Sequence, residues 1–239
     1  MQRVARFVWK RLLWLGGHEL VVLAGLLVIV AGLWAFISLA DAIRGGHTPA
    51  IDDQILRALR RPDDPAVPIG PAWMAEVMRD ITALGGPTVI VLVVSAVAGF
   101  LIFDRKLGAA ALVLLTTTLG FVLSEVLKAI FDRPRPHVVP FLTSAISSSF
   151  PSGHSMMSAV VYLTLGALLT RMVRSRWMKL YFLTIAATLS ILIGISRVYL
   201  GVHYPTDVLA GWSAGLVWAA GCWLVARWLQ QRGQIERSA

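Results

Sequence analysis

Long apolar runs with almost no charged residues constrain this chain more than any other feature of its sequence. The first run is Leu20–Ala40, and comparable runs recur at Pro87–Phe103, Leu107–Leu127, Ser155–Thr170, Leu180–Ile195 and Val208–Ala226. An apolar helix of about 20 residues crosses the hydrocarbon core of a bilayer, which is roughly 30 Å thick. Only 15% of the 239 residues are charged and 57% are hydrophobic, far from the balance of a soluble domain. The sequence therefore predicts an all-α, polytopic membrane protein with six transmembrane helices in one bundle.

The basic residues around these runs predict how the chain is oriented. Residues 1–18 contain Arg3, Arg6, Lys10 and Arg11, a basic lead-in to the first run. A cleaved signal peptide is the alternative, but the run exceeds a usual h-region, which favours a retained helix. Lys and Arg are more frequent in the segments on the same side as this lead-in, so both termini are expected in the cytoplasm. We therefore expect a multi-pass protein of a bacterial cytoplasmic membrane.

Residues 41–86 form a polar insertion after the first run. Asp52 and Asp53 lie near the start of a segment whose apolar residues recur at helical spacing, which predicts a short amphipathic helix (its apolar residues are Ile51, Ile55, Leu56 and Leu59). Trp73–Leu84 is expected to form a second, interfacial helix beyond a proline-rich break. The insertion is expected on the extracytoplasmic side. It is either a solvated connector on the membrane surface or a lid over a site.

Three groups of polar residues lie at the ends of the later runs, and the helix count puts all three on the outer face. They are Lys128 with Arg135 and Pro136; Pro151, Ser152, Gly153 and His154; and Ser196 and Arg197 with His203 and Asp207. Charged groups at membrane depth are costly and usually functional. Glu125, one helical turn before Lys128, is expected to pair with it. Asp132, Arg133 and His137 fall between the motif positions and are expected to be surface or supporting groups.

These residue types indicate a site for a bound phosphate. Lys128, Arg135 and Arg197 supply three cations, and an arginine makes bidentate contacts to phosphoryl oxygens. Ser152 and Gly153 open a helix, where free backbone N–H groups favour an anion and glycine permits a close approach. No carboxylate pair or His/Cys cluster with metal-ligand spacing accompanies them in the sequence. We therefore expect phosphoryl transfer without a metal or other cofactor, with the cations stabilising the developing charge.

Two histidines fit two catalytic roles. His203 lies four residues before Asp207, whose carboxylate is placed to hold one ring nitrogen so that the other acts as nucleophile. His154, at the start of a helix, is then the general acid that protonates the leaving oxygen. A phosphohistidine intermediate, hydrolysed by water in a second step, completes the predicted cycle.

Together, these motifs resemble those of the type 2 phosphatidic acid phosphatase (PAP2) family of integral membrane lipid phosphatases. The resemblance covers Lys128–Asp207 closely, and no motif position departs from the family pattern. It implies His203 as nucleophile, Asp207 as its partner, His154 as acid, and the cations as phosphate ligands. It also implies that the chain is one phosphatase domain over residues 1–239, with its catalytic four-helix core at residues 107–226.

The expected reaction is dephosphorylation of a lipid phosphate or diphosphate at the outer face of the membrane. Undecaprenyl diphosphate is the first choice of substrate, because that carrier is left on the outer face after use. Phosphatidylglycerophosphate, phosphatidic acid, diacylglycerol diphosphate and lipid A phosphate are the other candidates. Three other functions stay open: a phosphotransferase that passes the phosphoryl group to a lipid sugar, a non-catalytic anion transporter, and a vanadate-dependent peroxidase. The net charge of +9 is attributed to membrane orientation rather than to nucleic-acid binding, and the oligomeric state is left undetermined.

Overall fold

The computed structural model describes residues 2–46, 49–145 and 147–231, and within these ranges every regular element is a helix. Eight helices are described: α1 (Gln2–Arg44), α2 (Pro49–Ala58), α3 (Trp73–Ala83), α4 (Pro87–Phe103), α5 (Leu107–Phe131), α6 (Gly153–Met172), α7 (Arg176–Tyr199) and α8 (Pro205–Gln231). The all-α prediction is therefore confirmed for this part of the chain. The basic side chains of the lead-in, residues 1–18, lie outside the described residues.

Five of these helices contain a stretch long and apolar enough to cross a membrane. They are Leu20–Arg44, Leu107–Phe131, Gly153–Met172, Arg176–Tyr199 and Pro205–Gln230. The helices α3 and α4 pass the same test only as a pair, which is bent by 46° at a short break. The chain is thus a multi-pass membrane protein, with five candidate spanning helices among its described residues, or six if the bent pair counts as one.

The sixth helix, α6, lies at the centre of the bundle. Its residues from Ser155 to Val161 are all buried, because α5, α7 and α8 pack against it from different sides. A Cβ at Gly211 would lie 2.6 Å from the Ser152 carbonyl oxygen, and one at Gly215 would lie 2.5 Å from that of Met156. These two glycines of α8 therefore allow its backbone to touch α6. Their spacing of four residues is typical of helices that pack closely.

The residues between the helices place the C-terminal ends of α5 and α7 and the beginning of α8 at one end of the bundle. At the end of α5, Asp132 adopts the left-handed conformation with φ of 38°, and the prolines that follow cannot continue a helix. After α7, Gly201 takes a φ of 76°, which only glycine adopts without strain. Pro205 then opens α8, where the missing N–H costs nothing. The loops between these helices carry the polar motifs.

The insertion after α1 is packed against this same end rather than lying free on the membrane. Asp52, Leu56 and Arg60 recur every four residues and are all buried, whereas Ile51 and Ile55 are 62% and 41% exposed. The prediction of an amphipathic helix is correct, but Ile51 and Ile55 do not form its buried face. Arg60 Nη1 donates to the Tyr199 carbonyl oxygen at the end of α7 (2.9 Å). The polar side chains on this face therefore attach the insertion to the bundle. A solvated connector would not need such contacts.

Candidate active site

A cavity of about 690 Å³ lies where the polar ends of the helices meet. Six of the eight predicted site residues line it: Lys128, Arg135, Gly153, His154, Arg197 and His203. The other two, Ser152 and Asp207, are fully buried behind its wall. Residues that are up to 75 positions apart in the sequence (128 to 203) thus face one space. The structure brings together the groups that sequence reasoning assigned to a phosphate site.

The three cations approach the cavity from three different elements. Lys128 comes from the last turn of α5, and its Nζ lies 2.8 Å from Glu125 Oε1, which confirms the predicted ion pair. In the following loop, Arg135 donates from Nε to the Ser147 carbonyl oxygen (2.6 Å) and from Nη1 to that of Val202 (2.7 Å). These bonds to backbone oxygens fix the guanidinium without neutralising it. Its positive charge therefore remains for an anion in the cavity.

Arg197, in the last turn of α7, is the most deeply buried of these cations. Its side chain donates from Nη1 to Thr82 Oγ1 of α3 at 3.2 Å. Its Nε is buried and has no hydrogen-bond partner among the described residues. A buried donor without a partner is costly, and a phosphoryl oxygen in the cavity would supply one. The insertion therefore helps to hold a cation of the site through Thr82.

The beginning of α6 supplies a bare stretch of backbone beside Lys128. Ser152 is the N-cap and Gly153 the first helical residue, as the sequence predicted. A Cβ at Gly153 would lie only 2.9 Å from Lys128 Nζ. The Ser152 N–H donates to the Asp207 carbonyl oxygen (3.0 Å), and the Ser152 hydroxyl accepts from Ser155 Oγ (2.9 Å). The backbone N–H of Ser152 is thus not free for a phosphate, contrary to our expectation, because it joins α6 to α8.

His203 lies in the turn between α7 and α8 and is 2% exposed. Its Nδ1 is 3.5 Å from Asp207 Oδ2 and 3.5 Å from Ser149 Oγ, and its Nε2 is 3.3 Å from Arg135 Nη1. The ring therefore has its Nδ1 toward a carboxylate and its Nε2 toward a cation that lines the cavity. Burial, together with the charges of Arg197, Arg135 and Lys128, lowers the pKa of His203 well below 6.5. The imidazole is consequently neutral at pH 7, which is the form that the predicted nucleophilic role requires.

The second histidine, His154, faces the break between α3 and α4. A Cβ at Gly86 would lie 3.7 Å from His154 Nε2, and one at Gly85 would lie 3.3 Å from its carbonyl oxygen. Tyr162, two turns further along α6, donates to the Leu84 carbonyl oxygen at 2.7 Å. The break at residues 84–86 is thus held against α6. It places backbone rather than a side chain next to this imidazole.

Two charged residues near the site were missed by sequence reasoning. Arg133, which was expected to be a surface or supporting group, has a side chain only 10% exposed, and its Nη1 donates to Asp207 Oδ1 at 2.6 Å. Its Nη2 donates to Asp52 Oδ2 of α2 at 2.9 Å, and Asp52 is fully buried. The repeated Arg–Pro pair at residues 133–136 was the only sequence signal near Arg133. Nothing in the spacing connects it to Asp52.

Comparison with known proteins identifies the family. A model of the PAP2 superfamily matches residues 109–231. The chain belongs to this superfamily. It is 38% identical to phosphatidylglycerophosphatase B of Bacillus subtilis (strain 168) over 184 residues, which cover 76% of this chain and 86% of that protein. An undecaprenyl-diphosphatase of Sulfolobus acidocaldarius is 31% identical over 120 residues, which cover 48% of this chain and 54% of that protein.

A solved structure supports the same assignment. The crystal structure of the first transmembrane PAP2-type phosphatidylglycerolphosphate phosphatase from Bacillus subtilis aligns with a TM-score of 0.73 and 33% identity. The alignment covers 85% of this chain and 96% of that one. The family and its phosphatase relatives make this PAP2 protein a membrane-bound lipid phosphatase, as the resemblance of the motifs implied.

Proposed function

We propose that this PAP2 protein hydrolyses a lipid phosphate without a metal ion, through a phosphohistidine formed on His203. The observation that carries the proposal is the meeting of His203 Nε2 and three cations in one cavity of about 690 Å³. A phosphoryl group bound by Lys128, Arg135 and Arg197 would lie in front of that nitrogen. The same cations would stabilise the charge that spreads over the phosphoryl oxygens during transfer.

The reaction has two steps that use the same two histidines. In the first, Nε2 of His203 attacks phosphorus, the bond to the leaving oxygen breaks, and His154 gives its proton to that oxygen. In the second, His154 takes a proton from water, the resulting hydroxide attacks phosphorus, and the N–P bond breaks to release phosphate. Asp207 stabilises the positive charge that the ring of His203 carries between the two steps. Both histidines return to their starting protonation states.

The walls of the cavity support a lipid as substrate. Away from the cations, the lining includes Val91 of α4 and Phe121 and Val122 of α5, which are also 60%, 46% and 51% exposed on the outside of the bundle. The apolar part of the cavity therefore borders the surface that faces hydrocarbon. A phosphate head group can bind the cations while its tail remains in lipid.

Charge favours a lipid with an isolated terminal phosphomonoester over a diphosphate, with phosphatidylglycerophosphate as the first candidate. The cavity is lined by three cations and one carboxylate, Glu125, beside Lys128. In a diphosphate the second phosphate is bonded directly to the first and would bring its charge close to this carboxylate. In phosphatidylglycerophosphate a glycerol separates the two phosphates, and its hydroxyl could donate a hydrogen bond to the carboxylate. The most extensive relative reported above is named for the same substrate. This order revises the preference from sequence, and undecaprenyl diphosphate becomes the second candidate.

We place the cavity at the extracytoplasmic face, with both termini in the cytoplasm. Support comes from Arg105 and Lys106 in the α4–α5 turn, from Arg171 in the last turn of α6, and from Arg174 in the α6–α7 loop. These segments lie at the opposite end of the helices from the cavity, as the positive-inside rule requires. The sixth crossing is then made by α4, with α3 at its outer end; residues 107–226 form the catalytic core, and residues 41–86 form an outer insertion.

The test is the release of inorganic phosphate from a panel of detergent-solubilised lipids. We expect turnover of phosphatidylglycerophosphate by the wild type and none by His203→Ala. The exposed His137 gives a matched control, since His137→Ala should leave the rate unchanged. Wild-type activity that survives His203→Ala contradicts the mechanism. Loss of phosphate from the lipid without release of free phosphate would show transfer to another acceptor instead of hydrolysis.

A further inference from the structure

We propose that Asp52, on the insertion helix α2, is a positioning residue for the nucleophile His203 and acts through Arg133 and Asp207. The inference rests on the proposed role of His203. It makes the insertion after the first membrane span a functional part of the phosphatase rather than a cover over it. Neither Asp52 nor Arg133 lines the cavity, so neither contacts the phosphate directly.

The carboxylate of Asp52 is fully buried and binds the beginning of α8. Its Oδ1 accepts from the Thr206 backbone N–H (3.1 Å), and its Oδ2 accepts from Thr206 Oγ1 (2.6 Å). The first N–H groups of a helix have no partner within the helix and carry partial positive charge. Asp52 therefore caps α8 from a different helix. Asp207 lies in the first turn of α8, so the position of its backbone depends on this cap.

Arg133 connects the two carboxylates through the two ends of one guanidinium. Nη2 donates to Asp52 Oδ2 (2.9 Å), while Nη1 donates to Asp207 Oδ1 (2.6 Å) and to Thr206 Oγ1 (2.9 Å). The guanidinium carbon also lies 4.2 Å from the centre of the Tyr204 ring. Burial alone would lower the pKa of Arg133, but Asp207 and Asp52 outweigh it and raise the pKa. The charged guanidinium is thus fixed by contacts on several sides.

The remaining oxygen of Asp207 faces the nucleophile. Oδ2 accepts from Ser149 Oγ (2.5 Å) and from the Tyr204 backbone N–H (2.9 Å), and it lies 3.5 Å from His203 Nδ1. Because Arg133 holds Oδ1, the carboxylate cannot rotate without breaking a charge-assisted bond. Arg133 therefore sets the direction in which Asp207 presents Oδ2 to His203.

The charge of Asp52 has a second effect on this arrangement. One guanidinium shared between two carboxylates leaves a net negative charge beside His203. If Asp52 is made neutral, the positive charge of Arg133 balances the negative charge of Asp207, and no net negative charge remains. The ring of His203 becomes positive when it is phosphorylated, and the negative charge that stabilises this state is then weaker. Loss of Asp52 should therefore slow the chemical step while leaving phosphate binding by the cavity cations intact.

The first experiment measures kcat and KM of the full-length protein in detergent, per folded molecule. For Asp52→Asn we expect kcat to fall about tenfold, as is typical when a group behind a catalytic residue is lost, with KM changed by less than about twofold. Asp53→Asn is the matched control, since Asp53 is the neighbouring, partly exposed carboxylate and should keep the wild-type kcat. Leu56→Ala is the structural control: Leu56 is buried one turn later on the same face, and its loss should lower thermal stability but not kcat.

The second experiment separates positioning of His203 from damage to the cavity. Vanadate is expected to inhibit by bonding to the nucleophilic nitrogen, and inorganic phosphate is expected to inhibit by binding the cations. We expect Asp52→Asn to weaken vanadate inhibition about tenfold and to leave phosphate inhibition unchanged. Arg133→Lys keeps the charge but cannot bridge two carboxylates. It should show the same separation, and it serves as the second variant if Asp52→Asn does not fold.

Three outcomes would overturn the proposal: a wild-type kcat in Asp52→Asn, an equal loss of kcat in Leu56→Ala, or an equal weakening of vanadate and phosphate inhibition. The variant His203→Ala distinguishes failure of this proposal from failure of the proposed function. An active wild type with an inactive His203→Ala, together with any of these outcomes, removes only the role of Asp52. Activity in His203→Ala removes the proposed mechanism itself.

Discussion

Substituting alanine for Gly153 should impair catalysis without impairing the fold. The new Cβ would lie 2.9 Å from Lys128 Nζ and 3.2 Å from its Cε, whereas ordinary van der Waals contact begins near 3.4 Å. The ammonium must therefore move by about 0.5 Å or rotate away. A lysine side chain can move at little cost, and alanine favours a helix over glycine by up to about 1 kcal/mol. The thermal midpoint of Gly153→Ala should consequently stay within a few degrees of the wild type.

The expected loss is in the contact between Lys128 and the phosphate. A hydrogen bond to a charged group contributes about 1.5–3 kcal/mol. Because Lys128 is displaced rather than removed, we expect a cost near the lower end of this range. This corresponds to a fall in kcat/KM of about tenfold, measured as phosphate release from solubilised phosphatidylglycerophosphate. Gly99→Ala is the matched control, since a Cβ at Gly99 meets no atom within 4 Å.

A double-mutant cycle tests the physical reason for this loss. If Gly153→Ala acts by moving Lys128, then the double variant with Lys128→Ala should be no slower than Lys128→Ala alone. Additive losses would show that the new methyl group blocks the phosphate or the helix backbone by itself. A kcat/KM of Gly153→Ala within twofold of the wild type, combined with a large loss in Lys128→Ala, would refute the proposed steric conflict.

Three further predictions concern the chemistry of the site. Because burial and the charges of Arg197 and Arg135 lower the pKa of His203 well below 6.5, its neutral form should persist under mild acid. The acid limb of kcat/KM, corrected for titration of the substrate, should lie below pH 6.5; a limb above that value would contradict this reading. EDTA should leave activity intact and millimolar vanadate should inhibit it, whereas loss of activity on chelation would exclude a metal-free mechanism. Glu125→Gln should raise kcat/KM for undecaprenyl diphosphate relative to phosphatidylglycerophosphate by about twofold or more. The effect on substrate choice is expected to be modest because the carboxylate beside Lys128 is partly exposed. An unchanged ratio in the same phosphate-release assay would show that Glu125 does not select the substrate.

The motif residues could be predicted to meet because each lies at the end of an apolar segment. Once the segments are interpreted as membrane helices, each helix end must lie on one of the two faces of the membrane. Lys128, His154 and His203 were placed together in this way, and the structure lines one cavity with all three. Ser152 was assigned to the phosphate because it opens a helix. Its N–H instead joins the backbone of Asp207, a long-range contact that no local pattern reveals.

The insertion shows the limit of sequence reasoning more clearly. Helical spacing predicted α2, but the apolar residues suggested a buried face that includes Ile51 and Ile55, both of which are exposed. The buried face instead contains Asp52, whose charge is compensated by Arg133, 81 residues later in the chain. Burying a charge is unfavourable unless it is paired. The partner is therefore what decides which face turns inward, and that partner is invisible to local periodicity.

The sequence alone determined that the chain is helical, that it crosses a membrane several times, and which polar residues gather at one end of the bundle. The reason is that lipid leaves a spanning segment few options other than a helix that satisfies its own backbone, so apolar length is enough to specify it. The tertiary structure decided which arginine holds Asp207, which oxygen of Asp207 faces His203, and that the insertion is part of this network. Those features depend on contacts between side chains far apart in the sequence, and only the packing of the bundle fixes them.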